Sequence, residues 1–400
     1  MMTASVQLGR VWGVPIGFHW SWLIVFALVT ISLAFGVFPQ AFELSAAGYL
    51  ALGVVTSLLF FASVLLHELG HTALALRAGV PVREINLFIF GGVAVMGGEA
   101  RTAKEDFLIA AAGPAVSLIL ASVFGALWLA ASDFPYLAVP AMWLAWINLM
   151  LALFNLIPGF PLDGGRILRA IVWRVKGSLH RATRISSIVG QVVAFGFIGW
   201  GVYSMLTGNL LGGLWIAFIG WFLQNAAATT LAQTNLEQSL KDVRVGDIMS
   251  FQYNSVPARL PLRSLIDSHF LRGEGRAFFV SDGGGEPKGL ITLNEIIKIP
   301  RENWASVTAG QVMIPTERLV TIEWRAGLLT ALKTMDEAGV AQLPVTEQNR
   351  LVGILSRERI LHHIRLRAEL GIERRDEAKR RPAEEKAKIG SPRPATTAAG

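Results

Sequence analysis

The chain has 400 residues, of which 52% are hydrophobic and only 16% are charged. Soluble domains average about 25% charged residues, so this composition excludes an ordinary soluble protein and indicates a membrane protein. There is no cysteine, which excludes disulfides, thiolate metal ligands, iron–sulfur clusters and a cysteine nucleophile. The net charge of +7 is spread over loops and a mixed-charge tail, so we expect contact with anionic lipid and no binding of nucleic acid.

The distribution of charge divides the chain into two parts. Residues 1–235 contain 11 of the 36 Lys and Arg and 8 of the 29 Asp and Glu, which leaves 36 − 11 = 25 basic and 29 − 8 = 21 acidic residues in the rest. We therefore predict a membrane domain over 1–235 and a soluble part after it. One arginine precedes the first apolar segment, with no small-residue cleavage pattern, so no removable signal peptide is expected.

Six apolar segments are long enough to cross roughly 30 Å of hydrocarbon. They lie at about 17–38, 47–76, 106–132, 138–158, 186–206 and 209–231. Lys and Arg are absent from every second connection, namely 39–46, 133–137 and 207–210. By the positive-inside rule, we expect a multi-pass protein of the cell membrane with both termini and the soluble part in the cytoplasm. A shallow hairpin over 184–231 is the alternative to the last two spans.

The second apolar segment contains a metal-binding pattern, His67-Glu68-Leu69-Gly70-His71. Histidines four residues apart lie on one face of a helix and can bind the same Zn²⁺ ion. Glu68 is then placed to accept a proton from water at the metal. A charged residue inside a span costs about 2.5–3.5 kcal/mol on insertion, which favours a functional role. The alternative is that the histidines form hydrogen bonds between helices.

A catalytic zinc site needs a third protein ligand and an open position. The other histidines lie at the start of the first span, in a basic loop or in the soluble part: His19, His180, His269, His362 and His363. Asp163 follows two prolines in the segment 155–165, after the fourth span. Such a segment alone is typical of a turn, but together with the histidines it makes Asp163 the best candidate.

With these two segments, the sequence resembles the site-2 protease family of intramembrane zinc metalloproteases. The His67-Glu68-x-x-His71 helix and the segment from Asn155 to Gly164 are similar to the two signature motifs of that family, in the same order. The resemblance covers about 10–235. It implies that His67, His71 and Asp163 bind one zinc ion per chain, that Glu68 is the catalytic base, and that the substrate is a membrane-spanning protein. It also implies that Asn155 positions the substrate or supports the metal site.

Two further segments resemble elements of the same family. Residues 88–96 are β-type with Gly91-Gly92 inside, and their free edge would bind an extended substrate as an added strand; a hairpin that only plugs the helix bundle is the alternative. In the third span, Gly113-Pro114 is followed by Ser117. We expect Ser117 either to contact the active site or to follow an ordinary packing kink.

The soluble part contains an internal repeat with an offset of 64 residues. Gly246-Asp247-Ile248-Met249 matches Gly310-Gln311-Val312-Met313, and Gly289-Leu290-Ile291-Thr292 matches Gly353-Ile354-Leu355-Ser356. Short β-type runs such as 277–280, each followed by a turn and a helix, predict two half-domains of the α+β class. The predicted bounds are 243–300 and 307–366. The segment 372–400 alternates basic and acidic residues and is expected to be a disordered tail.

The repeat resembles a tandem pair of CBS (cystathionine-β-synthase) domains, which implies adenine-nucleotide sensing. In that family an acidic residue three positions after the Ser or Thr often holds the ribose. Thr292 is followed by Glu295, which can accept hydroxyl hydrogen bonds, whereas Ser356 is followed by Arg359, which cannot. One ATP, ADP or AMP site is therefore expected at Thr292 and Glu295. Dimerisation through the CBS pair without a ligand is the alternative.

Two functions are compatible with these features. The first is an intramembrane zinc endopeptidase that performs regulated proteolysis and is controlled by the CBS pair. The second is an ion transporter or channel gated by the CBS pair, with the His, Glu and Asp cluster as its metal site. A transport path would need polar groups in several spans, but 107–132 and 138–162 contain no acidic or basic residue. The sequence therefore favours the protease.

Overall fold

The computed structural model describes residues 6–89, 91–241, 243–251, 254–272, 276–282, 287–348 and 350–370. The chain divides into two compact units, Met1–Thr234 and Asn235–Gly400. The boundary falls inside one long helix, so the two units are continuous along the chain. The predicted tail over 372–400, Phe90, and the glycines of the predicted turn after Asp282 lie outside the described residues.

The first unit contains four strands and seven helices among its described residues. In chain order they are β1 Val6–Val11, β2 Val14–Phe18, α1 Ser21–Ser32, α2 Ala46–Arg77, β3 Val82–Phe88, β4 Gly91–Met96, α3 Ala103–Ala130, α4 Pro135–Asn155, α5 Asp163–Lys176, α6 Leu179–Leu206 and α7 Leu210–Leu240. A π-helical turn at Leu33–Val37 and a 3-10 turn at Phe38–Gln40 extend α1.

Six of these helices are long and apolar enough to cross a membrane. They are α1 with its extension to Gln40, and α2, α3, α4, α6 and α7. The predicted fold class is therefore confirmed: a polytopic α-helical membrane protein with a short sheet, followed by an α+β part. The region 184–231 forms parts of two long helices rather than a shallow hairpin.

A four-stranded sheet packs beside the helices of the first unit. Its order is β1-β2-β3-β4, with β2 and β3 parallel and the outer pairs antiparallel. Val14 and Ile16 of β2 and Ile85 of β3 join a buried cluster with Ala75 of α2 and Ile109 of α3. These contacts pack one face of the sheet on the two helices. Among the described residues, β4 ends the sheet and its outer edge pairs with no strand.

Small residues let α2 approach α3 closely. A Cβ atom on Gly70 would stand 2.9 Å from a methyl group of Val116 and 3.1 Å from the carbonyl oxygen of Ala112. Glycine at this position therefore allows the backbones of two membrane helices to meet. This contact lies between His67 and His71 in sequence, so it brings the middle of α3 against the histidine-bearing face of α2.

Helix α5 is short, amphipathic and absent from the predicted spans. It begins at Asp163 and ends at Lys176, and the next residue, Gly177, has a φ of 67°, which is typical of a glycine that follows a helix. The loop before it folds back closely, since a Cβ atom on Gly164 would clash with the carbonyl oxygens of Leu156 and Ile157. The glycine after Asp163 is therefore needed for the turn that places Asp163.

The second unit contains seven strands and six short helices among its described residues. They are α8 Val245–Ile248, β5 Ser255–Pro257, α9 Leu262–Leu265, β6 Ala277–Ser281, β7 Pro287–Thr292, α10 Leu293–Ile297, α11 Ala309–Val312, β8 Ile314–Pro315, β9 Ile322–Glu323, α12 Leu328–Ala338, β10 Gln342–Glu347, β11 Arg350–Ser356 and α13 Arg357–Glu369. They form two sheets, of order β5-β6-β7-β8 and β11-β10-β9.

The two repeats of the second unit exchange short segments. Ser250 pairs with Ile354, and Ile314 pairs with Leu290 at the positions related by the 64-residue offset. Accordingly, Val245 and its neighbours lie in the hydrophobic core of the second repeat. Each repeat thus completes its sheet or core with residues from the start of the other repeat.

Candidate active site

Three side chains from α2 and α5 converge on one point. His67 Nε2 and His71 Nε2 each lie 3.2 Å from Asp163 Oδ2, and the two nitrogens lie 3.2 Å from each other. Among the residues that the structure describes, these three make up the group of His, Asp and Glu residues able to share a metal ion. In a tetrahedral zinc site with bonds of about 2.0–2.1 Å, ligand atoms are about 3.3–3.4 Å apart. The observed triangle fits that geometry.

A backbone carbonyl of α3 orients His71. His71 Nδ1 lies 2.7 Å from the carbonyl oxygen of Ile109, which can only accept a hydrogen bond. The Nδ1 atom therefore carries the hydrogen, and in the neutral ring Nε2 presents a lone pair to the centre of the triangle. Metal-binding histidines are usually held by such a bond on the other ring nitrogen.

A hydroxyl of α3 contacts His67 in the same way. Ser117 Oγ lies 2.9 Å from His67 Nδ1, and both residues are buried. Of the two expectations for Ser117, contact with the site is therefore the one observed. Helix α3 thus supports both imidazoles, through Ile109 and through Ser117.

Gly113 of α3 leaves the space that the three side chains occupy. A Cβ atom at this position would stand 2.5 Å from His67 Nε2 and would clash with His71 Nε2. Any larger residue would therefore fill the place where the ligand atoms meet. The glycine of the Gly113-Pro114 element therefore leaves space for the three side chains to meet, which the sequence alone does not indicate.

Asp163 reaches the histidines from the start of α5. Burial of its carboxyl group opposes ionisation, but hydrogen bonds to His67 and His71, together with electrostatic attraction to both imidazoles, hold the pKa of Asp163 below its usual range. The carboxylate is therefore charged at neutral pH. An anionic oxygen with two imidazole nitrogens is a donor set that suits Zn²⁺.

The side chain of Glu68 extends from α2 to β4, the outer strand of the sheet. A Cβ atom on Gly92 would stand 2.5 Å from Glu68 Cγ and 3.2 Å from Glu68 Oε1. The backbone of Ala94, two residues further along β4, lies near the same carboxylate. The proposed base and the edge strand are thus in direct contact.

The remaining residues expected at this site lie on adjacent elements. Asn155 is the last residue of α4 and is half-buried. Gly91 begins β4 with a φ of 122°, a conformation that favours glycine. His19 is hydrogen-bonded to Ser21 through Nδ1 at 2.9 Å, at the start of α1. His19 is not a member of the metal-binding group.

In the second unit, Thr292 and Glu295 are brought together. The Thr292 hydroxyl donates a hydrogen bond to the Glu295 carboxylate, and Lys298 Nζ lies 3.7 Å from the same group. In the other repeat, Arg359 Nε donates to the carbonyl oxygen of Ile248 at 2.7 Å. The Arg359 side chain is therefore held by the backbone, whereas Thr292 and Glu295 form a local polar pair.

Comparison with known proteins identifies the family. The model of peptidase family M50 matches residues 55–137 and 133–197. Rip3 of Mycobacterium tuberculosis is 37% identical over 359 residues, which cover 89% of this chain and 91% of that protein. The zinc metalloprotease MJ0392 of Methanocaldococcus jannaschii is 30% identical over 365 residues, 90% of this chain and 96% of that protein. The chain belongs to peptidase family M50.

Parts of this M50 member are also similar to a solved structure and match a second family model. The site-2 protease from Methanocaldococcus jannaschii is 30% identical, covers 56% of this chain and 94% of that chain, and has a TM-score of 0.40. Residues 309–366 match the CBS domain family. The predicted enzyme class, a zinc metalloprotease with a CBS domain in a multi-pass membrane protein, is confirmed.

Proposed function

We propose that this chain is an intramembrane zinc endopeptidase in which His67, His71 and Asp163 hold one zinc ion and Glu68 is the base. The observation that carries the proposal is the triangle of two imidazole nitrogens and one carboxylate oxygen with sides of 3.2 Å. It is supported by the hydrogen bonds between the two imidazoles and α3, which turn both Nε2 atoms toward one point. Three protein ligands leave the fourth position open, as in catalytic zinc sites.

The chemistry follows from the position of Glu68 next to this triangle. When bound, zinc supplies Lewis acidity, which polarises a carbonyl group and acidifies water. The Glu68 carboxylate accepts the proton of the attacking water and returns it to the nitrogen of the leaving amine. His67 and His71 are 3% and 4% exposed, so bulk water is excluded and the electrostatic interactions at the site are strengthened.

The substrate is a membrane-spanning protein that is cut within or near the bilayer. An intact helix shields its own peptide bonds, so the substrate must be extended at the point of cleavage. The outer edge of β4 would bind such a segment as an added strand, with Gly91 and Gly92 leaving room for its backbone. The contact between Gly92 and Glu68 supports this assignment, because a strand on that edge would lie beside the base.

The CBS pair would regulate cleavage by binding ATP, ADP or AMP at Thr292 and Glu295. Their proximity supports a site for ribose hydroxyls in the first repeat. The hydrogen bond from Arg359 to the Ile248 carbonyl supports a different role for the second repeat. We place the CBS pair and both termini in the cytoplasm, and a CBS dimer without nucleotide is the competing role.

The test of the metal site is replacement of Asp163 by Ala in the purified full-length protein. We expect both zinc content and cleavage of a membrane-spanning substrate to be lost, because an anionic ligand is removed. His19→Ala is the control and should leave zinc content unchanged. Zinc bound by Asp163→Ala as tightly as by the unmodified protein would show that the third ligand lies elsewhere.

A further inference from the structure

A buried ion network joins α5 to α3 beside the metal site. Asp106, in the first turn of α3, accepts hydrogen bonds from Arg169 Nε at 2.8 Å and from Arg169 Nη2 at 2.6 Å. Arg166 Nη2 lies 3.2 Å from the same carboxylate. The Asp106 side chain is 0% exposed, and those of Arg166 and Arg169 are 19% and 12% exposed. One carboxylate of α3 therefore holds two guanidinium groups of α5.

The same two arginines contact the other elements that surround the site. Arg166 Nη2 lies 3.7 Å from the sulfur of Met96, the last residue of β4. The guanidinium of Arg169 lies 5.4 Å from the ring centre of Phe160, in the loop before Asp163. The network thus connects the edge strand, the loop and α3 to a single short helix.

A second set of contacts fixes the same turn of α5 to α6. The Ser186 hydroxyl donates a hydrogen bond to the carbonyl oxygen of Gly165, and the Phe160 amide donates to the Ser186 carbonyl at 3.3 Å. A Cβ atom on Gly190 would clash with the Phe160 carbonyl oxygen. Helix α5 is therefore held by α3 and by α6 close to its first residue.

We propose that Asp106, acting through Arg166 and Arg169, is a positioning residue for the metal ligand Asp163. Asp163 precedes the two arginines by three and six residues, about 4.5 and 9 Å along the same helix. A shift of α5 therefore moves Asp163 Oδ2 relative to the two imidazoles of α2, and a tetrahedral zinc site allows little displacement. This inference rests on the proposed function, because it takes Asp163 as a zinc ligand.

The chemistry of the network favours a role in placement over a role in stability alone. Burial of ionised groups is costly, and apolar residues of similar volume often stabilise a protein equally well. A bidentate pair between arginine and carboxylate, however, fixes both distance and angle. Asp106 also lies at the N-terminus of α3, where the helix dipole favours a carboxylate. The pair therefore holds α5 in one orientation.

The experiment measures zinc affinity by chelator competition in the full-length protein, together with the visible absorption spectrum of the Co²⁺-substituted protein. Asp106→Asn preserves size and removes the charge; we expect zinc to bind about tenfold more weakly, as for other groups that orient metal ligands, with an altered Co²⁺ spectrum. Arg169→Lys keeps the charge but loses the bidentate geometry, and a smaller loss of the same kind is expected.

Leu33→Ala is the matched control, because it creates a cavity away from the metal. Leu33 is 1% exposed and lies in the turn that contacts α2 near Gly53, 14 residues and about 21 Å along the helix from His67. We expect this variant to lower the melting temperature without changing zinc affinity or the Co²⁺ spectrum.

Unchanged zinc affinity and Co²⁺ spectrum in both Asp106→Asn and Arg169→Lys would overturn the inference and leave the network a purely structural role. Where Asp106→Asn does not fold, Arg169→Lys alone decides. Zinc binding by Asp163→Ala distinguishes failure of the positioning role from failure of the proposed metal site. If Asp163→Ala loses zinc while Asp106→Asn binds zinc as tightly as the unmodified protein, only the positioning role is contradicted. If Asp163→Ala retains zinc, the proposed metal site itself is contradicted.

Discussion

Gly92 of β4 lies so close to Glu68 of α2 that a Cβ atom at residue 92 would stand 2.5 Å from Glu68 Cγ and 3.1 Å from Cδ. The strand whose edge we assign to the substrate therefore also sets the position of the proposed base. The φ of Gly92 is not in the left-handed region, so the backbone conformation does not require glycine at this position. The lack of space beside Glu68 does.

Gly92→Ala should displace the Glu68 carboxylate while the metal ligands stay in place. We expect cleavage to fall about 100-fold, because misplacement of a catalytic group by about 1 Å has effects of this size, with zinc content unchanged. Gly98→Ala is the control, since its Cβ atom would lie 4.0 Å from the nearest atom, Pro81 Cδ. Equal activity in the two variants would argue against contact between β4 and the base.

Gly113→Ala should abolish zinc binding. The added methyl group would occupy the space where His67 Nε2 and His71 Nε2 meet, so the ligands could not close around a metal. Gly125→Ala lies on the same helix with no atom within 4 Å of the added Cβ, and it should bind zinc normally. Atomic absorption on both purified variants tests this, and one zinc per chain in Gly113→Ala would contradict the site geometry.

Ser117→Ala removes the hydrogen bond to His67 Nδ1 without touching a ligand atom. Loss of a group that orients a metal-binding histidine typically weakens metal affinity by about 10–100-fold, and we expect a loss in this range. Ser122→Ala, in which the lost hydroxyl donates only to the Leu118 carbonyl, is the control. Chelator competition gives both affinities; identical values would show that Ser117 does not orient His67.

Adenine nucleotide should alter cleavage through Glu295. A ligand shifts activity only by its different affinity for two states of the protein, and typical couplings correspond to about 5- to 150-fold. We expect a change in this range on addition of ATP, ADP or AMP to the full-length protein. It should vanish in Glu295→Ala and persist in Glu302→Ala, an exposed surface control. No nucleotide binding at millimolar concentration would favour a dimerisation module.

Hydropathy was sufficient to predict the spans because a membrane helix must be apolar along its whole length. The His67-Glu68-x-x-His71 spacing similarly places two side chains on one helical face by local geometry alone. In the second unit, the strand expected over 277–280 is observed as β6, Ala277–Ser281. These features depend on residues that are near one another in sequence.

Features that depend on tertiary packing were not predicted. Asp106 and Arg169 are 63 residues apart, and the space around Gly113 exists only when α3 packs on α2. Where the structure has α5, the sequence predicts a turn followed by a basic loop, because this short amphipathic segment resembles neither a span nor a strand. The exchange of segments between the repeats likewise depends on pairing between Ser250 and Ile354, which no local pattern encodes.

Replacement of Glu68 by Gln separates metal binding from proton transfer most directly. The substitution keeps the size of the side chain and removes the base, while His67, His71 and Asp163 are unchanged. Zinc content and cleavage of a membrane-spanning substrate are measured on the same purified sample. We predict about one zinc per chain and no detectable cleavage, and turnover at the level of the unmodified protein would contradict the assignment of this site as the protease centre.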